Sequence, residues 1–130
     1  MTPEQLADRL EHAAMKIGPA IQKGVKHTGE LGAARIRGYA SGRPGPNVIS
    51  GDYRDSWQPT PIRRLPYGAM CTIGTKEPQG KRLEFGFYDR TDSLGRHYYQ
   101  KPFPHVQPAL PYIGETLMAQ MRLAVAEVLL

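Results

Sequence analysis

The chain has 130 residues, 17 Lys and Arg against 12 Asp and Glu (formal charge +5), and is 40% hydrophobic and 22% charged. That describes one ordinary globular domain, and the single cysteine, Cys71, excludes an internal disulfide framework and any multi-thiolate zinc site. Glycine (14) and proline (12) are one residue in five against a usual share of roughly 12%, so long turns and loops are expected. No apolar run approaches the ~18 residues of a membrane span. The start, MTPEQLADRLEH, is too acidic and polar for a signal peptide. A soluble protein made in a reducing compartment is expected.

A single domain, 1–130, divides into five segments. Thr2-Pro3-Glu4-Gln5 offers a cap hydroxyl, a proline in the first turn and a Gln that can reach back. Leu6, Leu10, Ala13, Ala14, Ile17 and Ile21 then recur at helical spacing, continued by Val25, Thr28 and Gly32. A helix over residues 1–39 is predicted, kinked but not stopped at Pro19 because the apolar face keeps its phase. At about 1.5 Å per residue such a helix exceeds the ~36 Å width of a 130-residue globule, so it must protrude or pack outside its own subunit.

Residues 40–56 read as an extended loop, since Ser41-Gly42-Arg43-Pro44-Gly45-Pro46 holds neither helix nor ladder. Gly51–Trp57 suits a short turn or helical cap. Residues 57–88 read as antiparallel strands, in Pro61–Leu65, Ala69–Thr75 and Arg82–Tyr88. In the last, Leu83, Phe85 and Phe87 alternate with Arg82, Glu84 and Gly86, and Lys76–Gly80 would be the hairpin connection. Residues 89–111 read as a Pro-rich loop or arm, broken by Pro102, Pro104, Pro108 and Pro111. Residues 112–130 read as an amphipathic helix with Ile113, Leu117, Met121, Ala124, Val125 and Val128 on its face. The fold class is α+β: a long kinked N-terminal helix, a small antiparallel sheet, a C-terminal helix and two long interface loops. Tyr53, Trp57, Tyr98, Tyr99, Phe103 and Val106 lie in or beside those loops, and neighbouring subunits are the expected cover.

Motifs for catalysis do not emerge. His12, His27, His97 and His105 lack metal-ligand spacing. His12 and His27 read as solvated, His97 and His105 as packed or interface residues. Asp89–Gly95 has a partial likeness to a calcium loop but lacks its alternating ligands and terminal Glu, so a turn with Asx-type hydrogen bonds is expected. No Ser/His/Asp order or GxSxG elbow is present, and Cys71, in an expected strand, reads as buried and inert. No cofactor, metal site or enzyme activity is expected.

The basic excess is concentrated early. Residues 1–65 hold 10 Lys and Arg against 6 Asp and Glu, and the remainder 7 against 6. Arg35, Arg37, Arg43, Arg54, Arg63 and Arg64 could meet phosphates, which keeps a small nucleic-acid-binding protein as the alternative. Asp52 and Asp55 lie between these arginines and would pair with some of them.

Four segments in order carry a resemblance: Ser50-Gly51-Asp52-Tyr53-Arg54-Asp55-Ser56, Ile73-Gly74-Thr75, Leu83-Glu84-Phe85-Gly86 and Pro102-Phe103-Pro104-His105-Val106-Gln107-Pro108-Ala109-Leu110. Following an N-terminal helix, they are similar to the "TGxLRDS", "VGT/VGS", "xEFGT" and "PFxRPAL" stretches of the head–tail joining (neck, tail-completion) proteins of long-tailed phages. Phe87 stands where that family often has Thr, and Gln107 where it often has Arg. The resemblance implies a non-enzymatic virion protein, assembled in the host cytoplasm, forming a ring of six or a multiple of six in the neck. It would contact the head-completion (stopper) protein on one side and the tail terminator or tail tube on the other, with genomic DNA passing unread through the lumen and no membrane involved. Candidate interface residues are Tyr53, Arg54, Asp55, Trp57, Glu84, Tyr98, Tyr99, Phe103 and His105. Trp57 is either an interface anchor or core, and Glu84 either a subunit contact or a solvated face residue.

Overall fold

In the computed structural model, helix α1 runs without a break from Pro3 to Tyr39. The structure describes residues 1–66 and 68–130, and of residues 88–90 the backbone alone. The expected capping box is formed: the Thr2 hydroxyl accepts from the Gln5 N–H at 3.1 Å, and the Gln5 side chain accepts from the Thr2 N–H at 2.9 Å. Pro19 lies inside the helix and does not end it.

The buried face of α1 is built of small residues, Ala13, Ala20, Gly24, Thr28, Gly32 and Ala33, with Ile36. Helix α4, Leu110–Leu129, lies antiparallel along it. The Arg35 guanidinium sits 3.9 Å over the Tyr112 ring at one end, Lys23 stands 3.9 Å from Glu127 further along, and the Arg9 guanidinium donates to the Leu129 carbonyl at the other end. Gly32 permits this approach, because a Cβ there would lie 2.7 Å from Ile73 Cδ1 and 3.0 Å from Ile113 Cγ1. Of the predicted stripe, Ala13, Thr28 and Gly32 are buried, Ile17, Ile21 and Val25 half-buried and Ala14 exposed, the close contact falling instead on Ala20 and Gly24; residues 1–12 are all exposed, including Leu6 and Leu10. Helix α4 ends before reaching them.

Between the two helices lie a four-residue helix α2 (Asp52–Asp55), a six-residue helix α3 (Gly80–Phe85) and three separate two-stranded antiparallel sheets. Strand β1 (Gln58–Pro59) pairs with β4 (Ile73–Gly74), setting Pro59 opposite Ile73. Strands β2 (Arg63–Leu65) and β3 (Gly68–Met70) form a tight hairpin, with Arg63 opposite Met70. Strands β5 (Phe87–Thr91) and β6 (His97–Gln100) form another, with Thr91 opposite His97 and a register shift between Phe87 and Arg90. The mixed α and β content agrees with the expected class.

Several local expectations are corrected. The predicted strand Ala69–Thr75 is two short strands, and Cys71 lies between them, half-buried, with its thiol 3.2 Å from the Thr60 carbonyl. Arg82–Phe85 is helical, and Lys76–Gly80 leads into that helix instead of turning a hairpin. The alternation predicted Phe85 inside and Glu84 outside; the helix reverses this, with Phe85 exposed and Glu84 buried. Gly86 ends α3 at φ +71, in the left-handed region, where a Cβ would fall 2.5 Å from the Gln100 carbonyl oxygen. Residues 89–100, expected as part of a loop, hold most of the β5–β6 hairpin.

The core is small. Ile36, Trp57 and Ala109 form its centre, with Tyr53, Ile73, Val106 and Ile113 packed against it. Among the described residues only Ile36, Trp57 and Pro46 are buried apolar side chains larger than alanine, whereas twenty large apolar side chains are exposed. No described helix is long and apolar enough to cross a membrane.

Candidate functional site

All four motif segments meet at the N-terminal end of α4. A 3₁₀ turn, Gln107–Ala109, leads into that helix, and its free N–H groups need acceptors. Glu84, delivered by α3, supplies them. Its Oε2 accepts from the backbone N–H of His105 (2.8 Å) and Val106 (3.0 Å), and its Oε1 from that of Gln107 (2.9 Å). The His105 ring adds Nδ1 at 3.1 Å from Oε2.

His105 is fully buried. Its Nδ1 faces only acceptors, the Phe103 carbonyl at 2.9 Å and Glu84, so it carries the ring proton. Nε2 then accepts from the Tyr53 hydroxyl at 2.5 Å. The three rings of Tyr53, Trp57 and His105 meet edge to face, with centroids 5.5–6.3 Å apart. Ser56 ties α2 to the end of β4 through Thr75 Oγ1 at 2.5 Å, and the Phe103 N–H donates to the Leu83 carbonyl at 2.7 Å. Arg37, from α1, donates to the Trp57 carbonyl.

Burial raises the Glu84 carboxyl, but the N–H donors of His105, Val106 and Gln107, helped by the His105 ring, outweigh it and hold the group below the usual carboxylate range. Burial raises the Tyr53 phenol, opposed by the nearby Trp57 indole dipole and aided by the Glu84 charge. Among the described residues the Trp57 indole N–H is the buried side-chain donor that lacks an acceptor of its own. Three backbone N–H groups thus hold the two oxygens of Glu84, two on Oε2 and one on Oε1, and orient the carboxylate toward the helix end. The arrangement is a clamp that fixes four chain segments to one helix end.

The candidate residues therefore separate. Tyr53, Trp57, Glu84, Phe103 and His105 gather in or beside this clamp. Trp57 is core, and Glu84 is neither solvated nor surface-facing. Arg54 and Asp55 form a local ion pair at 3.0 Å beside it; the guanidinium lowers the Asp55 carboxyl. Tyr98 and Tyr99 lie apart, exposed on the β5–β6 hairpin. His12 and His27 are exposed, as expected.

The turn with Asx-type hydrogen bonds expected within Asp89–Gly95 is found at the tip of that hairpin, organised by Asp92. Asp92 Oδ1 accepts from the N–H groups of Leu94 and Arg96, and Oδ2 from Arg96 Nε (2.7 Å) and the Tyr98 hydroxyl (3.0 Å). This is an Asx-type turn, and the Arg96 N–H leads the contacts that lower the Asp92 carboxyl. Among the described residues no group of three or more His, Cys, Asp or Glu is placed to hold a metal ion.

Two open clefts flank the clamp. One, of about 830 Å³, is lined by Arg43, Tyr53, Arg54, Arg82 and Phe103 among others; the second, of about 650 Å³, by Trp57, Glu84, Phe85 and Val106 among others. Four of the six early arginines are engaged within the chain: Arg35 on Tyr112, Arg37 on the Trp57 carbonyl, Arg43 at 3.9 Å over Phe103, and Arg54 on Asp55. Arg63 and Arg64 are exposed on β2. Compared with protein-family models, with curated proteins and with solved structures, the chain finds no match.

Proposed function

We propose that the chain is a structural, non-enzymatic subunit of a ring in the neck of a long-tailed phage, joining the head-completion protein to the tail terminator or tail tube. The observation that carries this reading is surface. The folded chain exposes 9286 Å², whereas a compact monomer of its mass exposes about 6,900 Å². The excess, about 2,400 Å², exceeds what a standard protein interface buries. It belongs to an overhanging helix, a free-standing hairpin and an apolar C-terminal helix, the features of a part that is completed by neighbours.

The motif resemblance supports the same reading, since its four segments converge on one clamp instead of being scattered. That clamp would set the angle at which α4 and the hairpin are presented to other subunits. On this reading the interface role passes to Tyr98, Tyr99 and the exposed helix faces, with ring number and DNA passage as the resemblance implies. The nucleic-acid reading is weaker, because most of the early arginines already have partners within the chain. The test is mass by light scattering of the chain mixed with head-completion and tail-terminator proteins from the same genome. Recruitment into a complex at low and high salt supports the reading. A chain that ignores both proteins and binds DNA with a steep salt dependence overturns it.

A further inference from the structure

We infer that successive copies of this chain associate head to tail, the overhanging first turns of α1 in one copy lying in the groove along the outer face of α4 in the next. The inference rests on the ring reading for closure, and on the following observations for the contact itself.

The first surface is the overhang. Helix α1 has 37 residues and α4 has 20, lengths of about 55 and 30 Å. Ala13 is the first buried residue of α1. Leu6 (49% exposed) and Leu10 (53%) continue the face that Ala13, Ala20 and Gly24 turn toward α4, but at a level where their own α4 has ended. An apolar stripe one helical turn long thus leaves the molecule without cover.

The second surface is α4. From Leu110 to Leu129 its charged residues are Glu115, Arg122 and Glu127, so it is apolar around most of its circumference, the pattern of a helix covered on more than one side. Among the described residues α1 covers one side along its length, and the core at Trp57 and Ala109 meets its first turn. Met118, Val125 and Leu129 run along the uncovered side and, with Met121, whose methyl also reaches Gly24 of α1, line an open groove of about 480 Å³ with Arg122 at its edge. Met118 and Val125 are about half exposed.

The two surfaces fit by chemistry and by size. A leucine stripe matches a groove walled by methionine, whose flexible thioether adapts to an incoming side chain. Arg122 has no partner among the described residues. The overhang that would meet it carries Glu4, Asp8 and Glu11 against Arg9, and Arg9 is already bonded to the Leu129 carbonyl. The surface excess of about 2,400 Å² per chain leaves area for one such contact at each end. Because the patches differ, the contact is heterologous: repeated, it closes into a ring or runs on as a filament.

The test uses the full chain with Leu10→Glu and with Val125→Glu. Both positions are surface-exposed, so circular dichroism should match the parent. Sedimentation velocity up to about 1 mM should find oligomers for the parent and monomer for each variant alone. Mixed one to one, the variants should form a dimer and nothing larger, since one keeps an intact groove and the other an intact overhang. Mixed variants that stay monomeric while the parent assembles would overturn the head-to-tail contact and leave the ring reading standing. A parent that stays monomeric throughout also overturns it, and the ring reading is then decided by recruitment to the head-completion protein. A parent that forms open filaments, with variants behaving as stated, upholds the contact and counts against the ring.

Discussion

Replacing Glu84 by glutamine isolates what its carboxylate contributes to the clamp, because the side chain keeps its size. Glutamine has one acceptor oxygen. Placed where Oε2 lies, it still receives the N–H groups of His105 and Val106, but its amide then faces the Gln107 N–H, donor against donor. One charge-assisted hydrogen bond at a buried helix end is lost, costing about 2 kcal/mol, and the charge facing the helix N-terminus adds about 1 kcal/mol. The sum, about 3 kcal/mol, is a large part of the 5–15 kcal/mol that holds a typical domain. With an unfolding entropy of about 2.1 cal/mol/K per residue, the Tm should fall by about 11 °C. The carboxyl is held below its unfolded value, so its stabilisation is fully present above a pH of about 4.5 and is lost as pH falls through the folded value. Urea titration at pH 7 and pH 3 should therefore find a large gap between parent and E84Q at the higher pH and a much smaller one at the lower. A gap under about 0.5 kcal/mol at pH 7, or one of equal size at both pH values, would refute the reasoning.

Tyr53→Phe removes the hydroxyl that donates to His105 Nε2 and should lower stability by about 1–2 kcal/mol, read by thermal unfolding, with no change in helical content. Gly32→Val sets a branched side chain against Ile73 and Ile113 and should cost about 1–3 kcal/mol by forcing α1 from α4; a neutral result would mean the helices are less closely packed than described. Asp92→Asn weakens the hairpin tip and should speed amide exchange at Leu94 and Arg96 roughly tenfold, with global stability within about 0.5 kcal/mol of the parent.

The two long helices were legible because their signals are local: a capping box at Thr2 and Gln5, and apolar spacing that persists through Pro19. Helix α3 was not. Leu83-Glu84-Phe85-Gly86-Phe87 alternates as a strand should, and nothing nearby indicates that Glu84 must reach N–H groups 21 to 23 residues further on. That tertiary demand sets the conformation over a weak local preference. The β5–β6 hairpin was obscured by grouping it with the prolines that follow, yet no proline falls between residues 89 and 101, and Asp92-Ser93-Leu94-Gly95 is a turn between two β-rich runs. In the candidate site, the residue types were visible but their pairing was not. Tyr53, Glu84 and His105 are separated by 52 and 21 residues along the chain, and one sequence carries no periodicity that would join them.

The proposed neck role is tested most directly by deleting the gene from its parent genome and examining the released particles by electron microscopy. The account predicts DNA-filled heads and complete tails that remain separate, and joining restored when the purified chain is added to the lysate. Joined, infectious particles formed without the chain would contradict it.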